Sequence, residues 1–220
     1  MDFPSFTAAL SVLIAFLIGS LPFSYLIARW RAGVNIIERG EGNVGARNVY
    51  HVVGRSWGAL AGVLDLTKGV ATFLVADQMS DSTTALLACG FAAPLGHSFS
   101  PFLRFRGGKG VATTVGFLFA YLPYSTVVGA LILVIAYCLT RDMNKALVPG
   151  IVGMVALPPV FGAPLWVVLY VLCLFLMLAV KKAIDAPHER MVWARDPWSE
   201  GRPGFHRDEA DAEAEEARSL

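Results

Sequence analysis

FTAALSVLIAFLIGSLPFSYLIA, residues 6–28, decides the fold class of this chain. The stretch carries no charged side chain, and about 20 apolar residues in a helix are enough to cross the hydrocarbon core of a bilayer. It is too long for the core of a signal peptide and lacks a convincing small-residue cleavage site. We therefore predict that it remains in the protein as a transmembrane helix.

Six further apolar stretches follow the first one. The chain has 220 residues, of which 55% are hydrophobic and 16% charged, so a soluble domain of this length would lack a polar surface. We predict an all-α integral membrane protein with about seven transmembrane helices. The seven segments lie at 5–28, 57–77, 83–101, 110–122, 125–140, 146–161 and 164–180. The fourth would reach only about 20 Å, and it is expected to span thinly or to follow a loop that dips into the bilayer.

The positions of lysine and arginine predict the orientation. All 18 lie at 29–55, 68, 104–109, 141–145 or beyond 180. The connections around 78–82, 123 and 162 carry none. By the positive-inside rule, the basic connections lie in the cytoplasm, the amino terminus lies outside and the carboxyl terminus lies inside.

Composition divides the chain into three parts and narrows the classes of function. Residues 1–182 form the predicted transmembrane domain, 183–206 a cytoplasmic interfacial segment, and 207–220 an acidic tail that we expect to be disordered. The net charge of +1 gives no reason to propose a nucleic-acid partner. Three cysteines stand singly in apolar segments, without metal or redox spacing, and are interpreted as reduced packing residues: Cys89, Cys138 and Cys173.

The first basic connection reads RGEGNVGARNVYHVVGR, residues 39–55. Its glycines permit positive backbone angles and let amide N–H groups converge, while asparagine and arginine side chains add donors. Such a loop suits a phosphate. The alternative is a flexible loop that merely obeys the positive-inside rule, because GxGNxG alone is a weak motif and no strand of a dinucleotide-binding fold precedes it.

DLTKGVAT, residues 65–72, lies inside the second apolar segment. Asp65 and Lys68 are three residues apart and therefore share a helix face. Ionisable groups at this depth are costly and normally face a polar cavity or each other. They are interpreted as functional, or alternatively as an ion pair that holds two helices together.

GHSFSPFLRFRGGKGVATT, residues 96–114, repeats the KGVAT of the preceding motif. Arg104, Arg106 and Lys109 flank a Gly-Gly turn that runs directly into a helix, so cations, backbone donors and the positive helix end favour an anion. The GxxxxGK[ST] phosphate loop is incomplete because Gly110 follows the lysine. His97 is interpreted as a proton-transfer group or as a hydrogen-bonding brace.

Four stretches together carry a family resemblance. GSLPFSYLIAR (19–29), GEGNVGARNV (40–49), DLTKG (65–69) and GHSFSPFLRFRGGKGVAT (96–113) resemble, in order and spacing, the motifs of the PlsY-type acyl-phosphate glycerol-3-phosphate acyltransferases. The resemblance implies a seven-spanning enzyme of the bacterial inner membrane with a cytoplasmic active site. It implies transfer of a fatty acyl group from acyl phosphate to the 1-hydroxyl of glycerol 3-phosphate, giving lysophosphatidic acid and phosphate. It implies no cofactor or metal, and no obligate protein partner is evident.

The resemblance also assigns roles to residues. The expected catalytic residues are His97, Asp65 and Lys109. The expected substrate-binding and phosphate-binding residues are Gly42, Asn43, Gly45, Asn48, Arg55, Lys68, Arg104, Gly107, Gly108 and Asn144. An acyl phosphate is already activated, and neither a GxSxG elbow nor a cysteine beside a base is present, so the acceptor hydroxyl is expected to attack directly. Its proton would pass to a phosphate oxygen, to His97 or to Asp65.

The chain departs from the family pattern at several positions. Glu41 and Arg47 stand where a serine and a threonine are usual, and Arg47 is interpreted as compensating the new carboxylate. Asn144 replaces a serine, and the carboxyl-terminal motif is reduced to residues 188–190 without its asparagine. A non-catalytic or altered-acceptor paralogue that binds phosphorylated lipids is therefore an alternative. A small-anion transporter is a further one, disfavoured because the outer connections carry no cation.

Overall fold

Helices form most of residues 3–195, which are the residues that the structure, a computed structural model, describes. In chain order they are α1 (Phe3–Ser20), α2 (Phe23–Ala32), α3 (Ala46–Val52), α4 (Arg55–Met79), α5 (Thr83–Ser98), α6 (Val111–Tyr121), α7 (Pro123–Thr140), α8 (Met143–Ala156) and α9 (Trp166–Arg195). Short 3₁₀ turns lie at Ile36–Glu38, Pro101–Leu103 and Pro158–Phe161. The predicted all-α fold is confirmed.

Helix length separates two kinds of apolar segment. Within residues 3–195, five segments are long and apolar enough to cross a membrane: Phe6–Ala32, Arg55–Met79, Thr83–Leu103, Pro123–Thr140 and Trp166–Arg195. The remaining two predicted segments correspond to the shorter helices α6 and α8. With 11 residues, α6 is about 16 Å long, shorter than the hydrocarbon core.

The outer surface of the bundle is apolar, as expected of an integral membrane protein. Leu139 on α7 and Leu169 on α9 are 80% and 64% exposed, and many other large apolar side chains point outward. Cys138 and Cys173 are free thiols, as predicted, but they lie on this surface, so their interpretation as packing residues is wrong. That interpretation holds for Cys89, which is buried.

The sequence predicted one continuous helix for the first apolar stretch, but the structure divides it into two. It is interrupted at Leu21 and Pro22, between α1 and α2. Proline has no backbone N–H and disfavours the helical conformation of the residue before it. The interruption frees backbone carbonyls, and these accept hydrogen bonds from the side chains of Lys68 and Ser100.

Small residues let the helices approach closely. A side chain at Gly69 of α4 would collide with the Thr113 carbonyl of α6, and one at Gly116 would collide with the Leu66 carbonyl. The same arrangement joins α1 to α5, where Gly96 faces the Phe16 carbonyl. Close backbone approach of this kind is typical of helix packing in membranes.

The long helix α9 carries the core into the basic loops. Its first half packs Leu174 and Val171 against Phe117 of α6. The helix continues without interruption past residue 182, where the sequence placed a boundary, to Arg195. Residues 196–206 of the predicted interfacial segment and the predicted tail at 207–220 lie outside the described residues.

Candidate functional site

A buried ionic cluster joins the second and third sequence motifs. Asp65 of α4 lies 2.9 Å from the ammonium group of Lys68, one helical turn further on, and 3.6 Å from His97 Nδ1 of α5. The Lys68 Nζ atom is 3.0 Å from the same ring nitrogen. All three side chains are nearly inaccessible to solvent. Burial of an ion pair is tolerated when its members are paired and hydrogen-bonded, as here.

Lys68 also provides hydrogen bonds to backbone carbonyls at the break in the first apolar stretch. Its ammonium group donates to the carbonyl oxygens of Gly19 and Leu21, both at 2.9 Å. The Ser24 hydroxyl donates to the other oxygen of Asp65 at 3.3 Å. The pair therefore holds helices together, which is the structural one of the two interpretations drawn from the sequence.

The Gly-Gly turn of the third motif wraps around His97. The Gly108 N–H donates to the His97 carbonyl at 3.2 Å. A side chain at Gly107 would collide with that carbonyl, and one at Gly108 would collide with His97 Nε2 and the Val44 carbonyl. The imidazole therefore has Lys68 at one nitrogen and this turn at the other.

The first basic loop is organised by Asn48. Its side chain is fully buried, accepts from the Glu41 N–H at 2.9 Å, and donates towards the carbonyls of Ile36, Arg39 and Asn43 at 2.9 to 3.0 Å. Gly42 adopts a positive φ of 68°, and a side chain there would press against Val192 of α9. Asn48 thus shapes the loop from within, and the loop is sealed against α9.

A second, more accessible polar cluster brings together residues that are far apart in the chain. Glu189 of α9 lies 3.0 Å from Lys109 Nζ, and the same carboxylate oxygen is 3.1 Å from Asn43 Nδ2. The side chains of Lys109 and Glu189 are 26% and 17% exposed. Lys109 and Asn43, predicted from separate motifs, therefore share one partner.

Arg47 extends this cluster to the next loop. Its guanidinium lies 3.1 Å from the Glu41 carboxylate and also donates to the Asn144 amide oxygen at 3.1 Å. The interpretation of Arg47 as compensating Glu41 is confirmed. We refer to Glu41, Asn43, Arg47, Lys109, Asn144 and Glu189 together as the surface cluster.

Both arginines predicted to bind substrate lie outside the two clusters. Arg55 begins α4 and Arg104 follows the 3₁₀ turn Pro101–Leu103; both are exposed, and neither forms an ion pair with a described residue. Arg106 instead lines a cleft of about 210 Å³ between the loops and α9, which His188 and the Lys181–Asp185 pair also border. The guanidinium groups of Arg55 and Arg104 can still attract an anion to this face at longer range.

Sequence reasoning did not assign several of these residues. Ser24 and Ser100 bind the first helix break, Ser24 through Asp65 and Ser100 by donating to the Ser20 carbonyl at 2.7 Å. Their signal was a hydroxyl within an otherwise apolar motif. Glu189 was noted only as part of a reduced motif, because a pairing across 146 residues has no local signature.

Chemically, the surface cluster can hold an oxyanion. It offers ammonium, guanidinium and amide donors from three chain segments at one end of the bundle, beside the turn that wraps His97. The buried cluster has no comparable access, and its role in the geometry is to fix His97 and the helix break.

The family model described as glycerol-3-phosphate acyltransferase matches residues 9–187. A glycerol-3-phosphate acyltransferase of Myxococcus xanthus is 40% identical over 61% of this chain and 70% of its own. One of Thermosipho melanesiensis is 35% identical over 80% of this chain and 86% of its own.

Two solved structures share the fold. Both are crystal structures of PlsY (YgiH), an integral membrane glycerol 3-phosphate acyltransferase, one in its glycerol 3-phosphate form and one in its lysophosphatidic acid form. The TM-scores are 0.75 and 0.71, at 29% and 28% identity, and each match covers 88% of this chain. They cover 96% and 95% of the solved chains.

Proposed function

Because this chain belongs to the glycerol-3-phosphate acyltransferase family, we propose that it transfers a fatty acyl group from an acyl phosphate to the 1-hydroxyl of glycerol 3-phosphate. The products are lysophosphatidic acid and inorganic phosphate. The names of the relatives supply the acceptor, and the forms named for the solved structures supply the acceptor and the product. The acyl-phosphate donor rests on the motif resemblance.

The observation that carries this proposal is the convergence of Lys109, Asn43 and Arg47 in the surface cluster. Both substrates bear a phosphate, and two such groups repel each other unless fixed cations and N–H donors offset the charge. Lys109 and Arg47 supply the cations. Gly107 and Gly108 let the backbone of this turn approach His97 closely, because neither residue carries a side chain.

The chemistry that we assign needs no protein nucleophile. The 1-hydroxyl oxygen attacks the carbonyl carbon of the acyl phosphate and forms the new ester bond. The bond from that carbon to the phosphate oxygen breaks, and phosphate leaves with the electron pair. Positioning and electrostatic stabilisation provide the rate.

The proton of the acceptor hydroxyl passes, in this scheme, to an oxygen of the leaving phosphate. Asp65 is 2% exposed and enclosed by Lys68, His97 and Ser24, which argues against direct proton transfer to it. His97 is 8% exposed and turns its second ring nitrogen towards Gly108. We assign His97 to orienting the loop and the substrate, with Asp65 and Lys68 as positioning residues.

The same proposal includes a location. The protein lies in the bacterial inner membrane with seven crossings, its amino terminus outside and both clusters at the cytoplasmic side. The distribution of lysine and arginine supports this orientation. An acyl donor dissolved in the inner leaflet would then reach the surface cluster without leaving the membrane.

Phosphate release from palmitoyl phosphate tests the function. The purified protein is assayed with and without glycerol 3-phosphate, and lysophosphatidic acid is measured by mass spectrometry. We expect release that requires the acceptor and one lysophosphatidic acid per phosphate. Acceptor-independent release, or no release, would contradict the proposed reaction.

An altered acceptor is the second candidate, and the two carboxylates of the surface cluster favour it. Glu41 and Glu189 lie among the donors that would bind a phosphate. Acyl transfer from palmitoyl phosphate to another polyol phosphate, but not to glycerol 3-phosphate, would support this candidate over the first.

A further inference from the structure

The donors of the surface cluster already hold anions of the protein itself. Glu189 places one oxygen 3.0 Å from Lys109 Nζ and 3.1 Å from Asn43 Nδ2. Glu41 pairs with Arg47 at 3.1 Å and lies 3.2 Å from the same asparagine. These two cations and two carboxylates sum to zero charge. An incoming phosphate therefore meets a neutral cluster and not a positive one.

The Glu189 carboxylate occupies the place between Lys109 and Asn43 where an anionic ligand would bind. A carboxylate oxygen between an ammonium group and an amide N–H accepts the same two donors that a phosphate oxygen would accept. Glu189 reaches this place from α9, whereas Asn43 and Lys109 belong to loops that precede α3 and α6. The side chains remain partly exposed, so an external anion can exchange with the carboxylate.

We propose that Glu189 is a specificity-determining residue that acts as an internal competitor of the acceptor phosphate at Lys109 and Asn43. The acceptor binds only when the Glu189 carboxylate moves away from these two donors. This inference rests on the proposed function for the identity of the acceptor. Its consequence is that glycerol 3-phosphate binds this chain more weakly than it would bind the same loops without the carboxylate.

Binding of glycerol 3-phosphate, measured by isothermal titration calorimetry in the absence of any acyl donor, tests the proposal. Glu189→Gln keeps the size and hydrogen-bonding shape of the side chain but removes its charge. We expect roughly tenfold tighter binding. This factor lies between the effect of removing one partner of an exposed ion pair and that of removing one partner of a buried ion pair. In turnover, KM for glycerol 3-phosphate falls while kcat changes little, because the competition acts on the bound ground state.

Three further variants sharpen the result. Glu38→Gln removes the same charge from an exposed residue directly before the first basic loop, and it is expected to bind like the parent protein. In a Lys109→Met background, Glu189→Gln is expected to lose most of its effect, because the two residues act through one contact. Glu189→Ala provides a second variant should the glutamine side chain disturb folding, and unfolding temperatures are compared for all of them.

Unchanged or weaker binding by both Glu189 variants would overturn the proposal and identify the residue as a structural brace. An equal gain from Glu38→Gln would overturn it too, since the effect would then be general charge removal. If binding tightens as expected but no variant transfers acyl groups, the proposed function fails while this inference stands.

Discussion

The Lys68 ammonium group is already occupied by protein groups, namely two backbone carbonyls and the Asp65 carboxylate. We predict that Lys68→Met destabilises the protein by about 3–5 kcal/mol, because it leaves Asp65 buried without its cation. It also leaves two carbonyls of the helix break without their donor. Thermal unfolding in detergent measures the effect, and the exposed Lys182→Met serves as the matched control, with a change below about 0.5 kcal/mol.

A different result would assign Lys68 to the substrate. If Lys68→Met kept its unfolding temperature and lost only the affinity for glycerol 3-phosphate, the lysine would be a phosphate ligand. The sequence alone left both alternatives open, since a spacing of three residues places Asp65 and Lys68 on one face but does not show what else that face contacts.

Gly108 is a position where a single methyl group matters. We predict that Gly108→Ala lowers kcat/KM by roughly 100-fold, because the new Cβ would displace His97 or the Val44 carbonyl. The assay is acyl transfer to glycerol 3-phosphate. Gly62→Ala is the control, since its Cβ would meet only an ordinary contact, and its activity should match the parent. Full activity of Gly108→Ala would show that the turn does not need its close approach to the ring.

At the scale of single elements, apolar length predicted where helices lie but not where they end. The seven segments correspond to the helical regions because a membrane core requires internally satisfied backbone. The break at Leu21 and Pro22 escaped prediction, since its carbonyls accept hydrogen bonds from Lys68 of α4 and from Ser100, which follows α5. The continuation of α9 past residue 182 escaped as well, because its polar second half is held by contacts to distant residues, from His188 to the Ile37 carbonyl and from Glu189 to Asn43.

The start of α8 has an acid-sensitive cap. Asp142 accepts hydrogen bonds from the backbone N–H groups of Asn144 and Lys145. Partial desolvation raises the pKa of the Asp142 carboxyl. These hydrogen bonds and the Lys145 ammonium lower it by more, so the pKa lies below its ordinary value of 3.8. The stabilisation is therefore present above the unfolded pKa and is lost as pH falls through the folded one.

We predict that hydrogen exchange at residues 144 and 145 accelerates as pH falls below about 4, after correction for intrinsic rates. Asp142→Asn should retain the cap and remove this pH dependence, whereas Asp142→Ala should exchange fast at every pH. Equal pH profiles for Asp142 and its asparagine variant would contradict the assignment.

For the whole molecule, the sequence predicted which loops contribute to the candidate site better than it predicted how their residues pair. Asn43 and Lys109 were expected in one pocket, and the structure joins them through Glu189. Glu189 itself could not be assigned a role, because the approach of α9 to the first loop depends on the packing of the bundle. Lys68 was expected among the phosphate ligands but lies in the separate buried cluster.

The proposed orientation can be tested with single cysteines. In a variant with the three native cysteines replaced by alanine, Asp81→Cys in the α4–α5 connection should react with a membrane-impermeant maleimide in spheroplasts. Glu38→Cys, directly before the first basic loop, should react only after permeabilisation. The reverse labelling pattern would invert the topology.

The interrupted first stretch also bears on biosynthesis. When it leaves the ribosome, the carbonyls of Gly19 and Leu21 have no donor until Lys68 is synthesised 47 residues after Leu21. Unpaired carbonyls are costly in hydrocarbon, so the nascent segment must stay near the headgroups or form a straight helix until α4 arrives. Insertion of the first hairpin is therefore coupled to the arrival of a charged residue, and a chain truncated before position 68 should not acquire the native bend.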